Sequence, residues 1–272
     1  MSAAPPPIIY GTAWKEAATH GLVRQALDAG FRAIDTANQR QHYDETAVGA
    51  AVAEAIRDGV VRRDDLFLQT KFTHKDGHDH RLPYDPAAPI EAQVAASFAG
   101  SLAHFGLPSL DCLLLHGPTQ RDGLGPDDHA AWRAMEAVVA AGQVRMLGVS
   151  NVGADQLTAL LAFTRTPIAF VQNRCYADRG WDRAVREVCA GNGIGYQAFS
   201  LLTANRAVVL GKDVAAIAAR HQRSAAEVVL RFAQQRAMIP LTGTTQGGHM
   251  LHDLALGAFG LDETELATLD PR

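Results

Sequence analysis

Two hydrophobic periodicities take turns along the chain. Eight short runs are rich in β-branched, aromatic and leucine side chains: PIIYGT, FRAIDTA, DLFLQTKF, LDCLLLH, QVRMLGVSN, IAFVQNRC, GIGYQAFS and AMIPLTG. Each reads as a strand. Between them lie longer alanine-rich segments with apolar residues at helical spacing; Leu22, Ala26 and Ala29, for example, share one face. The spacing predicts helices over 16–29, 45–58, 90–105, 128–141, 154–163, 181–190, 213–220 with 225–235, and 248–256. Gly30, Gly106, Gly142 and Gly191 stand where helices should stop, as C-terminal caps do. Ser224 followed by Ala225, Ala226 and Glu227 spells a capping box that opens a helix.

Strands that alternate with helices imply parallel pairing through right-handed crossovers. Eight such units predict a closed (β/α)8 TIM barrel, one domain over residues 1–272. An open doubly wound sheet is the alternative. It calls for a Gly-x-Gly-x-x-Gly turn after the first strand, and IIYGTAWKE has none. No linker or low-complexity tract interrupts the pattern. Residues 74–89, HKDGHDHRLPYDPAAP, form one long polar loop.

Composition narrows the function classes. With 47% apolar residues, the chain has enough for a large core. A net charge of −4 without long single-sign runs argues against nucleic acid or an anionic membrane as the main partner. Cys112, Cys175 and Cys189 are odd in number and lie in apolar surroundings, so they read as reduced packing residues. MSAAPPPIIYGTAW lacks the basic region and apolar core of a targeting peptide, and no apolar run reaches membrane-spanning length. The expectation is a cytoplasmic protein acting on a small molecule.

The strand ends carry the chemistry. In a barrel they gather around one mouth, and here they bear Asp35, Lys71, His116, Ser150 with Asn151, Gln172 with Asn173, Ser200, and Thr244 with Thr245. Unpaired buried charges are costly, so Asp35, Lys71 and His116 from three consecutive units should meet. A tyrosine, Tyr43, follows the aspartate closely. A lysine cation lowers a neighbouring phenol's pKa, an aspartate holds the lysine, and a neutral histidine can orient a carbonyl oxygen. Such a set polarises and protonates a C=O while something else attacks its carbon. Each residue also has a plainer reading: a structural ion pair, a loop aromatic, a core histidine. The cluster of His74, His78 and His80, flanked by charged residues, reads as a solvated loop with no fixed metal geometry.

The ordered set AIDTA…Y…E, LFLQTKF, DCLLLHGP, RMLGVSN, FVQNRCY and PLTGTT resembles the successive signatures of the aldo-keto reductases, from Gly11 to about Ala255. The resemblance implies a (β/α)8 barrel and metal-free, NAD(P)H-dependent reduction of aldehydes and ketones. It implies Asp35, Tyr43, Lys71 and His116 as the catalytic tetrad. Ser150, Asn151 and Gln172 would hold the nicotinamide carboxamide, and Phe199 would stack on its ring. Ser200, Leu202, Thr244 and Thr245 would line the pyrophosphate and ribose path, and His249 and Asp253 the adenosine end.

The chain also departs from that family. The tyrosine usually stands five positions after the aspartate, where this chain has Arg40; Tyr43 stands three residues late, in a lengthened loop expected to bulge outward. His42 is the rival acid. Gly243 and His249 stand where basic residues usually grip a 2′-phosphate; His249 and the helix N-terminus after Gly248 can still meet that phosphate, so NADPH over NADH is the expected preference. Both ends are short, without room for the usual N-terminal hairpin and C-terminal substrate loop, and Gly117 stands where many relatives carry tryptophan. An open, shallow substrate pocket is expected, lined by Trp14, Phe72, Tyr84 and residues after His116. Two other functions stay open: a non-catalytic, cofactor-sensing protein on this fold, and a barrel isomerase or lyase acting on a phosphorylated metabolite.

Overall fold

A computed structural model describes residues 6–271, so the brevity of the N-terminal segment falls partly outside the described residues. Eight parallel strands close into a barrel in sequence order: β1 (Ile9–Gly11), β2 (Ala33–Asp35), β3 (Phe67–Phe72), β4 (Leu110–Leu115), β5 (Val144–Ser150), β6 (Ile168–Arg174), β7 (Gly195–Phe199) and β8 (Met238–Thr242). β8 returns to pair with β1. Every predicted run supplies one strand.

The helices are α1 (Thr19–Ala29), α2 (Glu45–Arg57), α3 (Ile90–Phe105), α4 (Pro126–Ala140), α5 (Ala154–Phe163), α6 (Arg183–Gly191), α7 (Arg206–Val209), α8 (Lys212–His221), α9 (Ala225–Gln235), α10 (Gly247–Leu254) and α11 (Glu263–Leu269). Gly30 and Gly106 cap α1 and α3 in the left-handed conformation. The Ser224–Glu227 box opens α9, with Ser224 Oγ accepting from the Glu227 amide at 3.2 Å. One prediction fails, and two helices come unannounced. Residues 181–190 are not helical throughout: Gly180, Trp181 and Asp182 all have positive φ, and α6 begins only at Arg183. Trp181 instead buries its ring against Phe232 and donates to the Leu269 carbonyl at 2.8 Å, so it is core. Two short helices, α7 and α11, had no clear periodicity to announce them.

Side-chain parity sorts the barrel into layers, because alternate strand residues face opposite sides. On β3, Phe67, Gln69 and Lys71 point inward, whereas Leu68, Thr70 and Phe72 point to the helices. The floor of the interior is an apolar plug of Ile9, Ala33, Phe67, Cys112, Leu114 and Phe170. Outside the strands, a single larger core joins barrel to helices, with Trp132, Phe232 and Leu27 fully buried in it. Gly148 on β5 is required by this packing, since a Cβ there would run into the Leu114 side chain and the Phe170 carbonyl. Above the plug the interior turns polar, and the site begins there. All three cysteines are buried and free.

Candidate active site

Asp35 ends β2 and Lys71 stands near the end of β3, and the barrel closes one onto the other. Lys71 Nζ donates to both carboxylate oxygens, at 2.7 and 2.6 Å, and to the Thr36 carbonyl at 2.9 Å. Both residues are almost wholly buried. Burial works against the charge on Lys71, but the Asp35 carboxylate, and then Tyr43, outweigh it and hold the ammonium above its ordinary range.

The lengthened loop brings Tyr43 to this pair. The Lys71 ammonium lies 5.1 Å from the centroid of the Tyr43 ring, and the His116 ring stands edge-on to it at 6.1 Å. The loop is tied at several points. The Tyr43 amide donates to the Gln39 carbonyl at 3.1 Å, and the Gln39 side chain donates to the Gly77 carbonyl at 2.5 Å. The Trp14 amide donates to the His42 carbonyl at 2.7 Å. Asp44 then caps α2 by accepting from the Ala47 amide at 3.0 Å. Glu45 is pulled into the core by Thr70 and by His104, whose Nδ1 is 2.8 Å away. Arg40 and Gln41 are the exposed outward bulge.

Tyr43 departs from one expectation. Burial pushes its phenol up; the Lys71 charge pulls it down but does not reverse the shift, so the group sits above its ordinary range. That keeps the hydroxyl protonated and able to give a proton. His116 moves the other way: burial, and then the Lys71 cation, hold it well below the usual histidine range, so it is neutral near pH 7. Its Nδ1 lies 2.7 Å from Thr73 Oγ1. With the hydroxyl donating to Nδ1, Nε2 carries the ring proton toward the cavity. Thr73 was not singled out in the sequence; a small polar residue two after the lysine gave no signal. His42 is packed beside Trp14, ring centroids 4.0 Å apart, at the edge of the same cavity.

A groove of about 790 Å³ runs from Tyr43 and His116 across the barrel mouth to α9 and α10. Of the residues expected there, it is lined by Trp14, Ser150, Asn151, Gln172, Phe199, Ser200, Leu202, Thr244, His249 and Asp253. Asn151 and Ser200 have positive φ, 56° and 57°, immediately after the last residues of β5 and β7 or at their ends. Left-handed non-glycine residues are uncommon and concentrate at functional sites. Ser150 Oγ donates to the Gln172 carbonyl at 2.6 Å, and Asn151 Nδ2 to the His116 carbonyl at 2.8 Å. At the far end Thr242 Oγ1 donates to Asp253 at 2.6 Å, and burial pushes the Asp253 carboxyl up.

Three expected pocket residues are elsewhere. Phe72 is 1% exposed and faces the outer core, because Lys71 beside it faces in. Tyr84 packs on Phe72 and donates to the Thr73 carbonyl at 2.7 Å, so its loop folds back over β3 rather than across the mouth. Thr245 points to solvent and does not line the groove, although Thr244 does. The 74–89 loop is also less solvated than its composition suggests: His74 meets Asp128 at 3.2 Å and His78 stacks edge-on against Tyr84. Trp14 is 70% exposed, consistent with an open mouth.

The groove fits a nicotinamide dinucleotide. It is long, it starts at the proton-bearing cluster, and it ends at the loops after β7 and β8, where barrels commonly bind phosphate. The N-terminal residues of α9, Ser224 to Ala226, line it as well. Among the described residues no helix is long and apolar enough to cross a membrane.

Comparison with known proteins agrees. The sequence model of the aldo/keto reductase family matches residues 8–271. Deoxymugineic acid synthase 1-A of Triticum aestivum is 30% identical over 264 residues, spanning 89% of this chain and 79% of that protein. Aldo-keto reductase family 1 member A1 of Mus musculus is 28% identical over 291 residues, spanning 97% and 85%. The crystal structure of aldo-keto reductase AKR2E5 of the silkworm Bombyx mori superposes with a TM-score of 0.84 at 26% identity, covering 99% of this chain and 84% of that one. The structure of Bombyx mori AKR2E4 in complex with NADP gives 0.82 at 26% identity, covering 98% and 89%.

Proposed function

Because the chain belongs to the aldo/keto reductase family, we propose that it reduces an aldehyde or ketone to the alcohol, with Tyr43 as the general acid and NADPH preferred over NADH. The observation that carries this reading is the meeting of Tyr43 with Lys71 and His116, despite the tyrosine's displaced place in the sequence. When bound, the dihydronicotinamide supplies the hydride. The chain supplies the rest. His116 Nε2–H hydrogen-bonds the carbonyl oxygen and orients it. The Tyr43 hydroxyl gives its proton to that oxygen as negative charge develops there. Lys71 stabilises the phenolate left behind, and Asp35 keeps Lys71 charged and in place.

Ser150, Asn151 and Gln172 are read as the carboxamide contacts and Phe199 as the face on which the ring rests. Ser200, Leu202 and Thr244 line the phosphate path. The NADPH preference rests on His249. Of the ionisable groups at that end, Glu227 is taken up by Ser224, Asp253 by Thr242, and His252 lies 3.9 Å from Glu227. His249, exposed beside Thr244, is left to meet a 2′-phosphate.

Tyr43→Phe tests the assignment, with loss of dihydronicotinamide absorbance over a carbonyl panel as the readout. The expected result is a fall in kcat of about 10²- to 10⁴-fold, the usual contribution of a positioned acid, with cofactor affinity retained. His42→Gln should change kcat far less. Near-normal turnover in Tyr43→Phe would remove the tyrosine from the role and turn attention to His42. Cofactor binding without turnover on any carbonyl would favour the sensing alternative.

A further inference from the structure

Three glutamines stand where an apolar barrel layer would be expected. Gln69 on β3, Gln172 on β6 and Gln197 on β7 are all buried, Gln197 completely. Asp35 is paired with Gln69 on the neighbouring strand, and Gln172 with Gln197 on the other side of the barrel. The two pairs bond across the interior. Gln69 Nε2 donates to Asp35 Oδ1 at 2.7 Å and to Gln197 Oε1 at 2.9 Å. Gln172 Nε2 donates to the same two acceptors, each at 2.9 Å. Gln197 Nε2 returns a bond to Gln69 Oε1 at 2.9 Å.

Asp35 sets the polarity of the whole ring. An ionised carboxylate only accepts, and Lys71 binds both of its oxygens. The amide nitrogens of Gln69 and Gln172 must therefore face it. Both hydrogens of Gln172 Nε2 are then used, one on Asp35 and one on Gln197. Gln172 Oε1 is left over; it accepts from no described residue, is not sealed in the core, and belongs to a side chain lining the groove. A lone glutamine at a cavity floor can turn its amide over and offer either end. Here the turn would set the one amide oxygen against both Asp35 Oδ1 and Gln197 Oε1, breaking two bonds and opposing like dipoles.

We infer that Gln197, supported by Gln69, is a positioning residue: it fixes the Gln172 amide with its oxygen toward the groove, where it accepts from the carboxamide N–H of a nicotinamide. The inference rests on the dinucleotide reading of the groove. Gln197 touches no cofactor atom itself. It acts through Gln172, and it selects for a hydrogen-bond donor at that point of the ligand.

Gln197→Met keeps the side-chain length and removes the acceptor. NADPH affinity, followed by fluorescence titration of the full chain, should weaken about five- to tenfold, the worth of one well-aligned hydrogen bond. Gln172→Ala should weaken it at least as much. The double variant Gln172→Ala/Gln197→Met should bind as Gln172→Ala alone, because Gln197 has nothing left to position. A purely structural glutamine would lower the melting temperature yet leave the affinity of the folded protein unchanged; a glutamine acting independently of Gln172 would weaken affinity by a factor that multiplies with that of Gln172→Ala. Either result overturns the inference. Should Gln197→Met fail to fold, Gln69→Met frees the same amide from one side and should weaken binding about two- to fivefold; unchanged affinity there overturns it equally. Wild-type protein that binds neither NADPH nor NADH would sink the dinucleotide reading itself, and the positioning role with it. Wild-type binding that Gln172→Ala weakens and Gln197→Met does not would sink the positioning role alone.

Discussion

Replacing Lys71 by methionine separates what the buried ion pair does for stability from what it does for chemistry. The substitution keeps an apolar stem of similar length and removes the ammonium. Three hydrogen bonds disappear, two to Asp35 and one to the Thr36 carbonyl. Asp35 Oδ1 retains Gln69 and Gln172 as donors, but Oδ2 loses the only side-chain donor it has among the described residues. A carboxylate 3% exposed is then left without a countercharge. Breaking a buried pair from one side costs about 3–5 kcal/mol. At about 2.1 cal/mol/K per residue, a chain of 272 residues unfolds with an entropy near 0.6 kcal/mol/K. The expected fall in Tm is therefore about 5–9 °C. The double variant Lys71→Met/Asp35→Leu removes the stranded charge. It leaves two glutamine amides short of an acceptor, at roughly 1 kcal/mol each. It should recover at least about 1 kcal/mol, or about 2 °C, relative to the single variant. Neither should reduce carbonyls. Thermal unfolding without cofactor, at one scan rate, reads both. A single variant melting within about 2 °C of wild type would show that Asp35 does not carry a buried charge dependent on Lys71. A double variant less stable than the single one would refute the reasoning as well.

The shifted groups set a pH profile. On the proposed mechanism reduction uses the Tyr43 phenol, whose pKa is raised by burial, so kcat/KM in the reductive direction should hold to about pH 10 and fall only above it; an alkaline limb near neutrality would contradict this. His116, depressed first by burial, stabilises the fold fully above about pH 6.5 and loses that contribution as pH falls toward its folded value. His116→Gln should accordingly flatten the decline of Tm below pH ~6.5. Gly148→Ala should destabilise by at least about 1–3 kcal/mol in urea, because the new methyl meets the Leu114 side chain and the Phe170 backbone. His249→Ala should lower kcat/KM for NADPH by about three- to tenfold and leave NADH unchanged; an equal loss with both cofactors would show that His249 does not read the 2′-phosphate.

Strand order, barrel closure and most helices are legible in the sequence because each depends on local periodicity and on the crossover rule. Parity is legible too, but it has to be carried to the end of each strand. With Asp35 and Lys71 assigned to the interior, Phe72 is outward by alternation, and placing it in the pocket ignored that constraint. Tyr84 and the histidines at 74 and 78 were not legible. Their positions depend on a loop folding back onto the Thr73 carbonyl and Asp128, contacts that no spacing encodes. Gln69 and Gln197 left a fainter signal. Each is an amide in the middle of an otherwise apolar run, LFLQTKF and GIGYQAFS, at a parity that faces the interior. A buried polar group needs a partner, and two such residues in one layer suggest each other. The third member, Gln172, reads from the sequence only as a ligand contact.

On the proposed assignment, Tyr43 shows why counting forward from Asp35 misplaces the acid. Between the two residues the chain is a loop, and a loop can lengthen at little cost. From Tyr43 onward the chain is anchored. Asp44 caps α2, and Glu45 is locked to Thr70 and His104 beneath it. Gly49, one turn later, packs against the backbone of His104 and Phe105 so closely that a Cβ would collide with it. The tyrosine's place is therefore fixed from the helix side. Upstream, Gln39 ties the loop to Gly77, while Arg40 and Gln41 project into solvent. The ring that meets Lys71 and His116 is the one adjoining the anchored helix start, and Arg40, five residues after the aspartate, sits on the exposed part of the loop.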